Sequence, residues 1–305
     1  MKFRNKFLAL LLAATMSFSV SACGSADAGK DDGKAATEDT ADDGSSEDVD
    51  CYAAAVEKMK DVSSMNAEMH MNMDMSVEAN GQTQDMKMVT TSKMSCMYHP
   101  MLLKMDMNMD VGDGTAINMS AYAEEADDGT YTMYMNDGTQ WVSQNVELDD
   151  LAQYDAASNL TGYMQESYNF QDAGTEQLDG KSVRKYTGTI TGDDMKETIM
   201  ATGALNSVGS AGLDESDLDA LFKDLGELPI NLWIDETDLY PVKYEMDMTD
   251  MMNSLMSNLT ESMGDEAEGA SITVSNVKLE MTCSDFNAVS EFSIPDEAKA
   301  AAPAA

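Results

Sequence analysis

The chain has 305 residues, with 56 Asp and Glu against 18 Lys and Arg, for a net charge of −38. Such acidity repels phosphate backbones and anionic head groups, which argues against nucleic acid as a partner. Twenty-nine residues are methionine and only two, His70 and His99, are histidine, a poor supply of the usual acid–base side chain for an enzyme.

The N-terminus reads "MKFRNK", then the apolar run "FLALLLAATMSFSV", then "SAC". Three cations, a short apolar core and small residues are the layout of a secretory signal rather than a spanning helix. The ending Val20-Ser21-Ala22-Cys23 resembles the lipobox of bacterial lipoproteins. That resemblance implies cleavage before Cys23 and a covalent diacylglyceryl anchor on its thiol, holding the protein on the extracytoplasmic face of the cell membrane. No other run is long and apolar enough to cross a bilayer. Residues 24–50 are Ala, Gly, Ser, Asp and Glu for the most part, a composition expected to stay disordered. As a coil the segment reaches on the order of 30 Å and spaces the rest of the chain from the membrane. The expected organisation is a signal peptide at 1–22, a lipid-anchored acidic disordered linker at 23–50, a folded domain at 51–299 and a disordered Ala/Pro tail at 300–305.

From Cys51 to about Asp61 the spacing of Tyr52, Ala55, Val56 and Met59 predicts a helix. The period then becomes two. Met69, Met71, Met73, Met75 and Val77 alternate with polar residues, Asn80-Gly81 suits a hairpin turn, and Met86 and Met88 open the return strand. After Pro100, Leu103, Met105, Met107, Met109 and Val111 alternate; Ile117, Met119, Ala121 and Ala123 come next, then Tyr131, Met133 and Met135, and a turn leads to Trp141. A helical connection is expected around "LDDLAQYDAASNLTGYM". The second half begins with a strand in "SVRKYTGTI", then a helix near "DDMKETIMA", a loop at 203–212, and a helix in "LDESDLDALFKDLGE". "LPINLWIDETDLYPVKYEMDM" reads as two strands, with Ile230, Leu232 and Ile234 alternating on one and Val242, Tyr244, Met246 and Met248 on the other. Thr249 is placed to cap a helix with an apolar stripe of Met252, Leu255, Met256, Leu259 and Met263. After an acidic loop, a last strand carries Val277, Leu279, Met281 and Cys283. The whole predicts an α+β fold: one strongly curved antiparallel half-barrel sheet with helices packed on its concave face.

Little of the chain carries reactive chemistry. A Cu(I) site needs several soft donors converging on one point, whereas one strand supplies a row, with His70, Asn72 and Asp74 on the opposite face from the methionines. Asp106, Asn108 and Asp110 match the opening of a calcium loop, but Val111 and Ile117 stand where Gly and Glu are required. Ser210 in "VGSAG" lacks the spacing of a nucleophile elbow, and no glycine-rich phosphate loop follows a strand. Cys51, Cys96 and Cys283 have no metal spacing and allow at most one disulfide, with free thiols as the simpler reading. The sequence therefore points to a protein without catalytic residues, metal or cofactor.

The methionine face remains. Methionine is flexible and fills irregular apolar space, so the inward rows are candidates to line a cavity for an apolar molecule. In the first half these are Met69, Met71, Met73 and Met75, Met105, Met107 and Met109, with Met119 and Met133 beyond. In the second half they are Leu232, Tyr244, Met246, Leu279 and Met281.

Trp233-Ile234-Asp235, succeeded after a turn by Pro241-Val242-Lys243, resembles the hairpin of LolA-like carriers and of the LppX/LprAFG lipoproteins. "YMNDGTQW" and "FSIPDEAK" are similar to that superfamily's tyrosine-to-tryptophan hairpin and C-terminal close. The whole, from Cys51 to Lys299, is most similar to a Gram-positive lipoprotein group of uncharacterised function within it. The resemblance implies a half-barrel with helices across its mouth and a cavity for lipid or acyl chains. Two other readings fit the same residues: an interaction or sensor module with a self-filled core that engages an envelope protein, and a methionine-rich copper or oxidant buffer.

Overall fold

The computed structural model describes residues 50–79, 81–112, 114–126, 130–146, 164, 168–191, 223–262 and 270–303. Helix α1 (Cys51–Met59) starts where the Asp50 carboxylate accepts the backbone N–H groups of Tyr52 and Ala53 at 3.1 and 3.2 Å, which satisfies two of the donors a helix start leaves open. It buries Ala55 and Met59.

Alternation then gives a meander: β1 (Ser64–Ala79), β2 (Gln82–Tyr98), β3 (Met101–Asp110), β4 (Ala116–Glu125), β5 (Tyr131–Asn136) and β6 (Trp141–Val146). The second half supplies β7 (Gln171–Leu178), β8 (Lys181–Thr191), β9 (Glu227–Asp235), β10 (Pro241–Asp247) and β11 (Ala270–Ser284). With β12 (Ala302–Pro303) they form one twelve-stranded sheet in the order β12-β6-β5-β4-β3-β2-β1-β11-β10-β9-β8-β7. Every pairing is antiparallel except the short parallel one between β12 and β6. The two halves meet where β1 pairs with β11, from Asn66 opposite Ser284 to Ala79 opposite Ala270. The sheet is open and curved, and its methionine face carries the main core.

Helix α2 (Thr249–Ser262) lies on that face and buries Met251, Met252, Leu255, Met256 and Leu259. Its start differs from expectation. Thr249 is the first helical residue, and its hydroxyl donates to Asp247 and accepts the N–H of Val277, tying the helix to β11 rather than capping it. The short α3 (Asp296–Lys299) lies on the opposite face, where Ala298 and Ile294 pack with Tyr134 beside Leu102, Tyr122 and Trp141. The helices therefore do not all share the concave side. Ala302 and Pro303, expected in a disordered tail, instead pair with Val142 and Ser143.

Strand β7 has no counterpart among the sequence expectations, because its exposed residues show no apolar alternation; as the edge strand it packs little. Glu227, expected at a helix end, opens β9, after Asp224 and Gly226 turn the chain with φ of 51° and 81°. The helical connection before Met164, the helix near "DDMKETIMA", the loop at 203–212, most of the helix after it, Asn80 and Met263 lie outside the described residues. So do Cys23 and the linker up to residue 49.

Candidate functional site

Directly opposed residues on neighbouring strands point to the same face, so the register resolves the methionine face into rows that cross the sheet. One row runs Leu232, Tyr244, Met281, Met69, Ser92, Met107, Met119 from β9 to β4. The next runs Ile230, Met246, Leu279, Met71, Thr90, Met109, Ile117 over the same strands. Met73 and Met75 continue along β1, and Met105 and Met133 lie toward the other end of β3 and on β5.

Of the residues expected to line a cavity, Met69, Met71, Met73, Met75, Met109 and Met133 are buried in the main core. Leu232, Tyr244, Met246, Leu279 and Met281 join them there, and Met105 packs against the same cluster while half-buried. Met107 and Met119, opposite one another on β3 and β4, are half-buried and stand outside that cluster. The wall is thus sealed over most of its extent, at Leu103 and Met109 on β3 and Ala121 and Ala123 on β4 as well as under α2, and partly accessible at Met105, Met107 and Met119. The Tyr244 hydroxyl donates to the Met281 sulfur at 2.8 Å, which keeps its polar end satisfied inside the sealed part.

Two residues of this face escape a reading of the sequence alone. Thr90 and Ser92, 1 % and 3 % exposed, share the parity of Met88 and Met94 and interrupt the two rows with hydroxyls. Neither hydroxyl has a hydrogen-bond partner. The available signal is the parity of "MVTTSKM", which puts both on the apolar side.

The opposite face is polar, as the alternation requires. His70 lies 3.2 Å from Glu68 there, away from the methionine sulfurs. Asp106 accepts the Ser120 hydroxyl and Asn108 donates to Asn118 across the strands, while Asp110 accepts the Gly112 N–H in the turn that follows, so the calcium-like run serves sheet and turn. Among the described residues no three His, Cys, Asp or Glu side chains group as metal ligands. Cys51, Cys96 and Cys283 are thiols outside any disulfide. Burial pushes the Cys283 thiol up to about 12, with Cys96 adding to the shift, so it stays neutral.

The tryptophan hairpin proves structural. Trp233 is buried on the polar side, its indole N–H donating to Glu176 at 2.8 Å, with the Lys185 and Lys243 ammonium groups 4.8 and 5.1 Å from its ring, close enough for cation–π attraction. Burial works against the Lys243 charge, but hydrogen bonds to Glu245 and Glu280 at 2.7 and 2.8 Å outweigh it and hold the ammonium above its ordinary range. Asp235, 2 % exposed, accepts the N–H groups of Thr237 and Asp238 and the Lys181 ammonium. These bonds pin the β9–β10 turn.

Among the described residues no helix is long and apolar enough to cross a membrane. No curated protein matches the sequence. Among solved structures the chain is similar to LprF from Mycobacterium bovis, at 15% identity and a TM-score of 0.40, over 81% of this chain and 95% of that one. It is similar to the lipoprotein LppX of Mycobacterium tuberculosis at 15% identity and a TM-score of 0.38, over 81% and 100%. A LolA superfamily protein from Nitrosomonas europaea matches at 11% identity and a TM-score of 0.19, over 81% and 94%. These are the groups that the tryptophan hairpin resembles in sequence. Residues 47–303 match the sequence profile described as "Family of unknown function (DUF6612)", and the chain belongs to that family.

Proposed function

We propose that this protein is a lipoprotein, tethered through Cys23 to the outer face of the cell membrane, that holds a lipid or other apolar molecule against the methionine face of its sheet. One observation carries the reading: the methionine rows extend beyond the sealed core onto Met107 and Met119, which stay half-buried. Apolar surface tends to be covered, and methionine adapts to a guest of irregular shape at little cost. The acidic linker holds the domain off the bilayer, and the folded part acts by binding, with no catalytic step.

The filled state of the other half favours a second reading, a module with a self-filled core that engages an envelope protein through its acidic exterior. Native mass spectrometry separates the two. The mature chain from residue 23, carrying Cys23→Ser to prevent acylation, is mixed with lipids extracted from bacterial membranes. Retention of one or two lipid masses per chain is expected. A chain that stays empty with every lipid class excludes the carrier reading and leaves the interaction module.

A further inference from the structure

A soft cation needs donors from more than one direction, and register supplies what a single strand cannot. Met105 lies opposite Ala121, and Met107 lies opposite Met119. These four positions form a block, two inward residues long and two strands wide, on β3 and β4. Opposed residues stand about 5 Å apart and alternate residues of one strand roughly 7 Å. A point over the middle of the block is therefore roughly 4 Å across the sheet from each of the three methionine Cα atoms. Flexible torsions let each thioether sulfur lean inward over that distance. The fourth corner is Ala121, whose methyl group leaves the middle of the block open. All three methionines are half-buried, so the block borders solvent.

Among the described residues of β2 to β5, the inward neighbours across the sheet are Ser92, Met94 and Met135, and those along the strands are aliphatic or methionine. None is a carboxylate, an imidazole or an ammonium. A block on β1 and β2, Met73 and Met75 against Met88 and Met86, has four thioethers. There, however, Met73, Met75 and Met88 are buried and Met86 packs against the same core, so those sulfurs serve packing.

We infer that Met105, Met107 and Met119 form a binding site for a soft monovalent cation of the Cu(I) and Ag(I) class. Thioethers are soft donors that suit Cu(I), whereas Zn²⁺ favours thiolate or imidazole and Ca²⁺ and Mg²⁺ favour oxygen. They have no proton to lose, so binding here is insensitive to pH, unlike binding to thiolate or imidazole. The net charge of −38 draws cations of every kind toward the chain, and the thioethers select among them. The inference does not rest on the lipid reading, because it needs only three sulfurs at the accessible part of the wall.

The test uses the mature chain carrying Cys23→Ser and Cys51→Ser, which removes the anchor thiol and the half-buried one and leaves Cys96 and Cys283 in the core. Its methionine methyl groups are labelled with carbon-13. Silver nitrate is added in chloride-free buffer, Ag(I) standing in for Cu(I) without its redox chemistry. The first equivalent should shift the Met105, Met107 and Met119 methyl resonances together and leave those of Met73, Met75 and Met88 in place. Affinity should be the same at pH 5.5 and pH 7.5. Met107→Leu/Met119→Leu keeps volume and apolarity, so the unfolding midpoint should hold while Ag(I) affinity falls about tenfold or more. Should that variant lose its fold, the methyl shifts alone decide. Shifts confined to Met65 and Met94, in the same cross-strand rows as Cys96 and Cys283, assign the metal to the buried thiols and overturn the site. Equal affinity with and without the two substitutions, or no methionine shift at one equivalent, overturns it as well. The lipid reading stands or falls separately, on lipid retention.

Discussion

The two arms of the sheet use the same side chain to different ends. On β1, β10 and β11, beneath α2, Met71, Met73, Met246 and Met281 are no more than 4 % exposed and pack like any core. On β3 and β4, Met105, Met107 and Met119 keep the same alternation and stay half-buried, although Leu103 and Met109 in the same β3 row are buried. The strand pattern decides which face a methionine takes and leaves open whether it is sealed. Alternating methionines therefore mark a face and do not by themselves distinguish a core from a binding surface.

The difference is sharpest in stability. Leu279→Ala, at a site 1 % exposed beneath α2, should cost about 3 kcal/mol through lost burial and the cavity left behind, measured as a lowered midpoint of urea unfolding. Asp235→Asn should come next at about 2 kcal/mol, because it weakens three bonds to a buried carboxylate. That loss has a pH signature. Burial favours the neutral acid, but the Asp238 N–H, the Lys181 ammonium and the Thr237 N–H outweigh it and hold the group below its ordinary 3.8. The folded chain then binds fewer protons at this site than the unfolded one. The contribution is complete above 3.8 and disappears as pH falls through the lower folded value. Urea midpoints at pH 7 and pH 3 should differ less in Asp235→Asn than in wild type, and an equal difference would show that the turn does not rely on this charge.

On the other arm, Met107→Ala should cost less, about 1–2 kcal/mol, since part of that side chain is already in contact with water. A cost equal to that of Leu279→Ala would mean the two arms are equally sealed. The gentlest probe leaves the sequence untouched. Under dilute hydrogen peroxide, Met107 and Met119 should become sulfoxides several-fold faster than Met71 and Met73, read by peptide mass spectrometry. Oxidation tracks exposure, so uniform rates would erase the distinction.

Most strands are legible in the sequence because alternation is a short-range signal that survives without knowledge of partners; β1, β3, β9 and β11 emerge with the correct residues inward. Edge strand β7 leaves no such signal, since Gln171–Leu178 packs against one neighbour and buries little. Thr249 shows a different failure: in sequence its hydroxyl reads as a local cap, but its partners are Asp247 and the N–H of Val277 on a distant strand. The candidate site is legible as a set of inward residues and not as a boundary. Alternation does not tell sealed from accessible methionines, since Met109 is buried and Met107 two residues away is half-buried, and the burial of Thr90 and Ser92 among thioethers emerges only once register is known.

The pairing of β1 with β11 sets the order in which this chain can be built. Asp74 and Ser275, in contact across that seam, are 201 residues apart in sequence. A chain emerging N-terminus first completes the β1–β2 hairpin early and then carries the other edge of β1 unpaired until almost the last strand arrives. Contacts so distant in sequence form slowly, and a long open strand edge invites pairing with other chains in the meantime. The outward Glu68, His70, Asn72 and Asp74 on that strand give the emerging chain a polar flank during its most vulnerable interval, when self-association competes with closure.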